Sequence, residues 1–230
     1  DSNITDHLGQ LQKRLNYHAS NRMDVFLVSN SFQLTNLKES NEPGTVNLSR
    51  AYIILNVNQS INQIVSDFRK ECTKILIEEM MYGGTLQDKI KSNNLINLPS
   101  WAIPGLQRYL AHPWSPETDN ALRLIHDEFG LEDFNSIPSS YNEIKGASFW
   151  KYLEYEYGSN AIPTLLYMAR LTRKFNSSIY YSFQTSIKDV FDQWQDFYTI
   201  AYQVDQKKPN PVQGIVFDKA RIIDIYVESE

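Results

Sequence analysis

Lys70-Glu71-Cys72-Thr73-Lys74, followed by Leu98-Pro99-Ser100-Trp101-Ala102-Ile103-Pro104-Gly105-Leu106-Gln107-Arg108-Tyr109, lies within a run from Asn58 to Leu110 whose reading decides the fold. The first segment belongs to a helix expected from about Ser60 to Met81. At about 100° per residue, Ile61, Ile64, Val65, Phe68, Cys72, Ile75 and Leu76 fall within roughly 120° of one another and form a core-facing stripe. Lys70 and Lys74 come out on the opposite side, with Glu71 near the edge. Taken alone, the three read as a solvated polar face. Gly83-Gly84 is a helix stop. The second segment opens a helix expected from about Pro99 to Ala111. Pro104 would lie in its second turn, where the missing N–H should kink or shorten it.

Outward from this run, the N-terminal quarter reads as a small sheet with a helix beside it. A helix from about Thr5 to Tyr17 carries Leu8, Leu11 and Leu15 on one stripe, with Thr5 or Asp6 as its cap. Strand-like runs follow at Met23 to Ser29, Ser31 to Leu37 and Ser49 to Val57, with a turn at Asn41-Glu42-Pro43-Gly44. A short helix is expected from Thr85 to Ser92. Past His112-Pro113 the pattern is helical. Ser115-Pro116 is an N-cap followed by Pro at N1, opening a helix to Phe129. Gly130 to Ser140 is loop. Helices then run from Tyr141 to Tyr157, closed by Gly158, and from Ala161 to Thr172. Ser186 caps a last helix holding Val190, Phe191, Trp194, Phe197 and Tyr198. Gln206-Lys207-Lys208-Pro209-Asn210-Pro211 is a linker signal, and residues 214–217 and 222–227 read as strands. The expected fold class is therefore α+β: residues 1–205 form one domain, with a sheet part at about 1–57 and a helical part at about 58–205, and 206–230 are linker and strands.

Together these motifs resemble the zinc-peptidase core of the gluzincins, the peptidase MA-like fold, over about Met23 to Tyr202. A gluzincin carries His-Glu-x-x-His on one helix: the two His ligate zinc and the Glu activates water. Its third ligand is a Glu in a pattern like Trp-x-x-Glu-Gly-x-x-x-Tyr. In this sequence Lys70 and Lys74 stand at the His positions and Glu71 keeps the Glu. Trp101, Gly105 and Tyr109 keep the second pattern, but Pro104 replaces its Glu. Gly146 to Leu153 with Tyr157-Gly158 is similar to the helical subdomain behind the active-site helix. The resemblance therefore implies a catalytically inactive, metallopeptidase-like domain without zinc or any other cofactor. A protonated Lys has no lone pair for a metal, and paired ammonium groups repel a divalent cation. The large Bacteroidota cell-envelope proteins it resembles place such a region before a β-propeller. The implied setting is periplasmic or extracellular, with a protein partner that a following domain could supply.

Composition narrows the alternatives. The 230-residue chain carries a net charge of −5 with both signs interspersed, which proposes no nucleic-acid partner. No stretch approaches the roughly 20 apolar residues of a membrane span. There is no signal-peptide pattern, and an opening Asp1 in place of Met suggests processing or trimming. A single cysteine rules out an internal disulfide framework, and Cys72 on the apolar stripe reads as packing. His112 and His126, which could approach each other, are the candidate ligands of a competing reading: an active zinc peptidase with a different ligand set. Glu78 and Glu79 read as an acidic helix end in water. The 14 Tyr and 11 Phe suggest a third reading. Trp101, Tyr109, Trp150, Tyr155 and Tyr157, with Tyr152, Tyr180 and Tyr181, either line the inter-helix core or form a protein- or glycan-binding surface around the cleft.

Overall fold

Ser60 starts the helix on which the rest of the described chain is built. Its backbone is extended and its hydroxyl accepts from the Gln63 N–H at 3.3 Å, satisfying a donor that the first turn leaves over. The helix ends at Gly83, whose φ of 89° is one that glycine adopts without a Cβ clash. The structure is a computed structural model and describes residues 2–19, 22–29, 46–47, 52–83 and 96–207. In chain order the elements are α1 (Ser2–Leu15), β1 (Asp24–Val28), β2 (Val46–Asn47), β3 (Tyr52–Asn56), α2 (Ile61–Tyr82), α3 (Ala102–Ala111), α4 (Pro116–Phe129), a single 3-10 turn (Ser139–Tyr141), α5 (Asn142–Tyr157), α6 (Ala161–Thr172), α7 (Phe175–Phe183) and α8 (Ile187–Gln206). The fold is α+β and mostly helical. The expected strand at 31–37, turn at 41–44, helix at 85–92 and strands beyond 213 lie outside the described residues.

The sheet has the order β1-β3-β2, with β1 parallel and β2 antiparallel to β3. Alternation along a strand sends successive side chains to opposite faces. The central strand therefore feeds Ile53 and Leu55 into the main core, and Tyr52 and Ile54 into a smaller cluster with Val28. This explains why Tyr52-Ile53-Ile54-Leu55 is apolar throughout: both faces are covered.

α2 touches β3, α1, α3 and α6, and so more than one of its faces is buried. Phe68, Cys72, Ile75 and Leu76 are buried as expected. Ile61, placed on the same stripe by periodicity, is 78% exposed. The whole first turn stands clear, since Asn62 and Gln63 are exposed too. Further along, Glu71, Thr73, Ile77 and Glu79 are buried as well, as expected of a helix enclosed on nearly all sides.

The expected effect of Pro104 is corrected. Trp101 occupies the N-cap of α3, so Pro104 is the third helical residue. The first four N–H groups of a helix have no intrahelical acceptor, and a proline there removes nothing. The Gly105 N–H bonds the Trp101 carbonyl at 2.9 Å and the helix proceeds. The start of α1 is also corrected: it is already helical at Ser2, so neither Thr5 nor Asp6 is its cap. α7 was not expected, because Phe-Asn-Ser-Ser-Ile-Tyr-Tyr-Ser-Phe is poor in strong helix formers. Tertiary packing of Phe175 and Ile179 holds it.

Behind α3, an aromatic cluster joins the C-terminal helices. Trp101 meets Phe134 and Phe149 edge-on, both at 4.8 Å, and Phe134 stacks on Phe191 at 4.5 Å. The polar edges are satisfied: Trp194 donates to the Ser148 hydroxyl at 3.1 Å, and Trp150 donates to the Ala102 carbonyl at 2.8 Å.

Candidate functional site

A cleft of about 200 Å³ opens between α2 and α3, with the start of α5 at its side. Asp67 and Lys70 come from α2, Pro104 and Arg108 from α3, His112 from the residue that caps α3, and Glu143 from α5. The i, i+3 spacing of Asp67 and Lys70 turns both toward α3. A larger hollow of about 490 Å³ near Tyr17, Met80 and Tyr167 has Arg170 as its one charged lining residue among the described residues. Ionisable chemistry is concentrated in the smaller cleft, where Lys70 and Pro104, singled out from separate motifs, face the same space.

Glu71 does not lie on a solvated face. It is 6% exposed, and its Oε2 has no hydrogen-bond partner among the described residues. Burial raises its carboxyl pKa against the opposing pull of Lys74 and then Lys70. Lys70 is exposed and Lys74 half-buried. Glu79 is not in water either: it is buried, and its Oε1 accepts from the Tyr17 hydroxyl at 3.2 Å. Cys72 is fully buried, and burial pushes its thiol up to about 12, so it stays protonated.

The expected aromatic surface divides: Tyr155, Tyr180 and Tyr181 are exposed, and the two tryptophans are not. Trp101 and Trp150 are 3% and 1% exposed and belong to the core. Tyr109 is half-buried. It donates to Glu154, which also pairs with Arg14 at 2.8 Å, and the Arg14 guanidinium lies over the Tyr109 ring. That triad ties α1, α3 and α5 together and leaves the phenol committed. Tyr155 is exposed and leans on Phe197, while Tyr157 is half-buried and stacked on Phe183. Both sit near the far end of α5 from Glu143. The twelve positions from 143 to 155 correspond to about 18 Å along a helix, so these tyrosines do not border the cleft.

The histidines are also redistributed. His126 packs edge-on against Tyr202 at 5.6 Å and contacts Asp127. His112 instead faces Arg108, Arg69 and Lys70, and lies near enough to His7 to affect its titration. Among the described residues, no group of three or more His, Cys, Asp or Glu side chains is arranged to hold a metal ion. Arg69, Arg108, Asp67 and His7 were not singled out in the sequence. The i, i+3 spacing of Asp67 and Lys70 was available as a signal, but nothing local announced Arg108 or His7.

These buried bases set a pH dependence. Burial first, then the Arg69 guanidinium, lowers His7 from 6.5 to about 4, and His112 is lowered by burial and by Arg108. As the pH falls below 6.5, the unfolded chain takes up the His7 proton before the folded chain does. Stability is full above pH 6.5 and is lost as the pH approaches 4, by about 3 kcal/mol for His7. Glu71 works in the opposite sense, since its raised carboxyl relieves strain on protonation. Urea unfolding at neutral and mildly acid pH should show the loss, and His7→Gln should flatten it. An unchanged slope in that variant would remove His7 as the cause.

No family model matches the chain, and neither does any curated protein or solved structure. No helix among the described residues is long and apolar enough to cross a membrane.

Proposed function

We propose that the chain is a non-catalytic relative of the gluzincin peptidases that serves as a protein-binding or scaffolding module of the bacterial cell envelope, on its periplasmic or outer side. The observation that carries this reading is the donor set at the cleft. Lys70 and Pro104, two of the three positions at which the resemblance places zinc ligands, line one space between α2 and α3. Neither offers a lone pair to a metal at neutral pH. Lys74, the third, is also an ammonium group, and the remaining Glu71 is buried with a carboxyl biased toward its neutral form. These residues do not fit zinc. The cleft remains, with charged groups of both signs suited to gripping a polar partner. The envelope setting rests on the resemblance alone.

The test is metal content and hydrolysis. The purified 230-residue chain, loaded with zinc and then dialysed, should retain less than about 0.1 equivalent. It should cleave no peptide in a chelator-sensitive way. One tightly held zinc accompanied by chelator-sensitive cleavage would overturn the proposal in favour of an active peptidase.

A further inference from the structure

The corner where α1, α2 and α3 meet gathers basic groups, and two guanidinium nitrogens among them lack acceptors within the described residues. His7 comes from α1, Arg69 and Lys70 from α2, and Arg108 and His112 from α3 and its cap. Three buried nitrogens there have no hydrogen-bond partner among the described residues: His7 Nε2, Arg69 Nε and Arg108 Nε. His7 is 8% exposed, so water does not readily compensate it. A guanidinium can only donate, and a buried donor left unpaired is costly. Arg108 is held in place by its Nη2 bond to the Thr118 hydroxyl at 3.2 Å, which leaves its Nε unused. His112 feels Arg108, Arg69 and Lys70 together. Two carboxylates offset part of this charge: Asp67, which accepts from Gln63 at 2.8 Å and pulls the His112 titration upward, and Glu143 on the α5 side of the cleft.

We infer that this corner is an oxyanion site, whose ligand brings a carboxylate or phosphate group into the cleft to accept from Arg108, Lys70 and His112. Charge-assisted bonds of this kind are the strong ones, and arginine suits planar or tetrahedral oxyanions. His7 and Arg69 stand behind and add to the attraction. A cleft of about 200 Å³ admits the charged head of a ligand and little else, so most of that ligand would lie outside. The inference deepens the binding-module reading and rests on it for the choice of cleft.

An oxyanion favours the protonated imidazoles, so its binding draws protons onto His7 and His112. The other charged groups facing them are Arg14, Asp67, Arg69, Lys70, Arg108 and Glu143. Affinity should therefore rise as the pH falls. Sulfate is the first probe, because its own charge is constant across the range. Titrated into the full chain and followed by the ring resonances of His7 and His112, it should saturate, with affinity increasing roughly fivefold from neutral to mildly acid pH. Lys70→Gln and Arg108→Gln should each weaken it by roughly tenfold, while Lys188→Gln, at an exposed position of α8, should not. A short acetylated peptide with a free C-terminal carboxylate, compared with its amide, identifies the source. Preference for the free acid assigns a carboxylate, and saturation by sulfate and phosphate alone assigns a phosphate.

Lys70 is exposed, so Lys70→Gln tests the idea even if Arg108→Gln fails to fold. Shifts that stay linear to about 50 mM, far weaker than a specific site, would overturn it. So would saturation that Lys70→Gln leaves untouched. Zinc uptake by the unmodified chain would sink the binding-module reading instead, whatever the sulfate titration shows.

Discussion

Gly105→Ala should lower the stability of the fold by about 3 kcal/mol, and Gly146→Ala by a similar amount. The reason is a backbone-to-backbone contact. A Cβ on Gly105 would stand 2.3 Å from the Gly146 Cα and 2.4 Å from its carbonyl carbon. A Cβ on Gly146 would stand 2.5 Å from the Trp101 carbonyl oxygen and 2.8 Å from the Gly105 Cα. A flexible side chain could swing aside at such distances, but a helix backbone cannot. α3 and α5 would have to separate. That movement would strain the Trp150 bond to the Ala102 carbonyl and the contact of Trp101 with Phe149. Alanine gains about 1 kcal/mol over glycine inside a helix, which offsets only part of the loss. For a chain of this length the melting temperature should fall by about 10 °C. Gly9→Ala is the control: it lies in α1 with nothing within 4 Å of the added carbon, and it should be neutral or slightly stabilising. The double variant Gly105→Ala/Gly146→Ala should cost less than the sum of the two, because both break one contact. If Gly105→Ala melts with the parent chain, the close approach of α3 and α5 is wrong.

Gly105 shows where sequence reading stopped. It was legible as part of a Trp-Gly-Tyr pattern, and Gly146 opened a second motif, but the requirement joining them crosses 41 positions and has no local trace. What was legible was whatever the chain settles within one turn. Ser115 with Pro116, Gly130, Ser186 and Gly158 mark helix ends through caps and special backbone angles, and the structure places α4, α5 and α8 between them. α6 has the bounds expected of it. Face assignments failed where a helix has neighbours on several sides. Glu71 read as surface because it lies at the edge of the Cys72 stripe, and Glu79 because it belongs to an acidic helix end, yet α1, α3 and α6 enclose α2 beyond that stripe. Trp101 and Trp150 read as a possible contact surface because the aromatics from Trp150 to Tyr157, with Tyr180 and Tyr181, exceed what one helix face can bury. The core they enter is built by five separate segments, as contacts with Phe134, Phe149, Phe175 and Phe191 show. The cleft was visible in part: Lys70 and Pro104 emerge from motif spacing, whereas Arg108 and His7 emerge only once α1 and α3 are docked on α2.

The gluzincin resemblance can be tested by restoring what it says was lost. Lys70→His/Lys74→His/Pro104→Glu should bind one equivalent of zinc where the parent chain should bind none, with a Kd of about 1 μM, or about −8 kcal/mol. The first two substitutions place imidazoles one helical turn apart on α2, and the third supplies a carboxylate from α3 across the cleft that Lys70 and Pro104 already share. Affinity should fall well short of natural sites, because no partners have been built to orient the new imidazoles. The fold should survive. Lys70 is exposed, and Pro104 is the third residue of α3, where a Glu is favoured by the helix dipole. Lys74→His removes the charge that most opposes the upward shift of Glu71, but zinc then replaces it with a stronger one. Glu71 would be left next to the metal, in the place of the water-activating residue. Calorimetric titration with zinc separates the outcomes. Stoichiometric binding lost on reverting Pro104→Glu alone would mean that all three positions converge. Equal zinc affinity with and without that Glu would leave only a surface His pair, and no measurable uptake would remove the alignment of Lys70, Lys74 and Pro104 with a metal centre, and with it the case for descent from a peptidase.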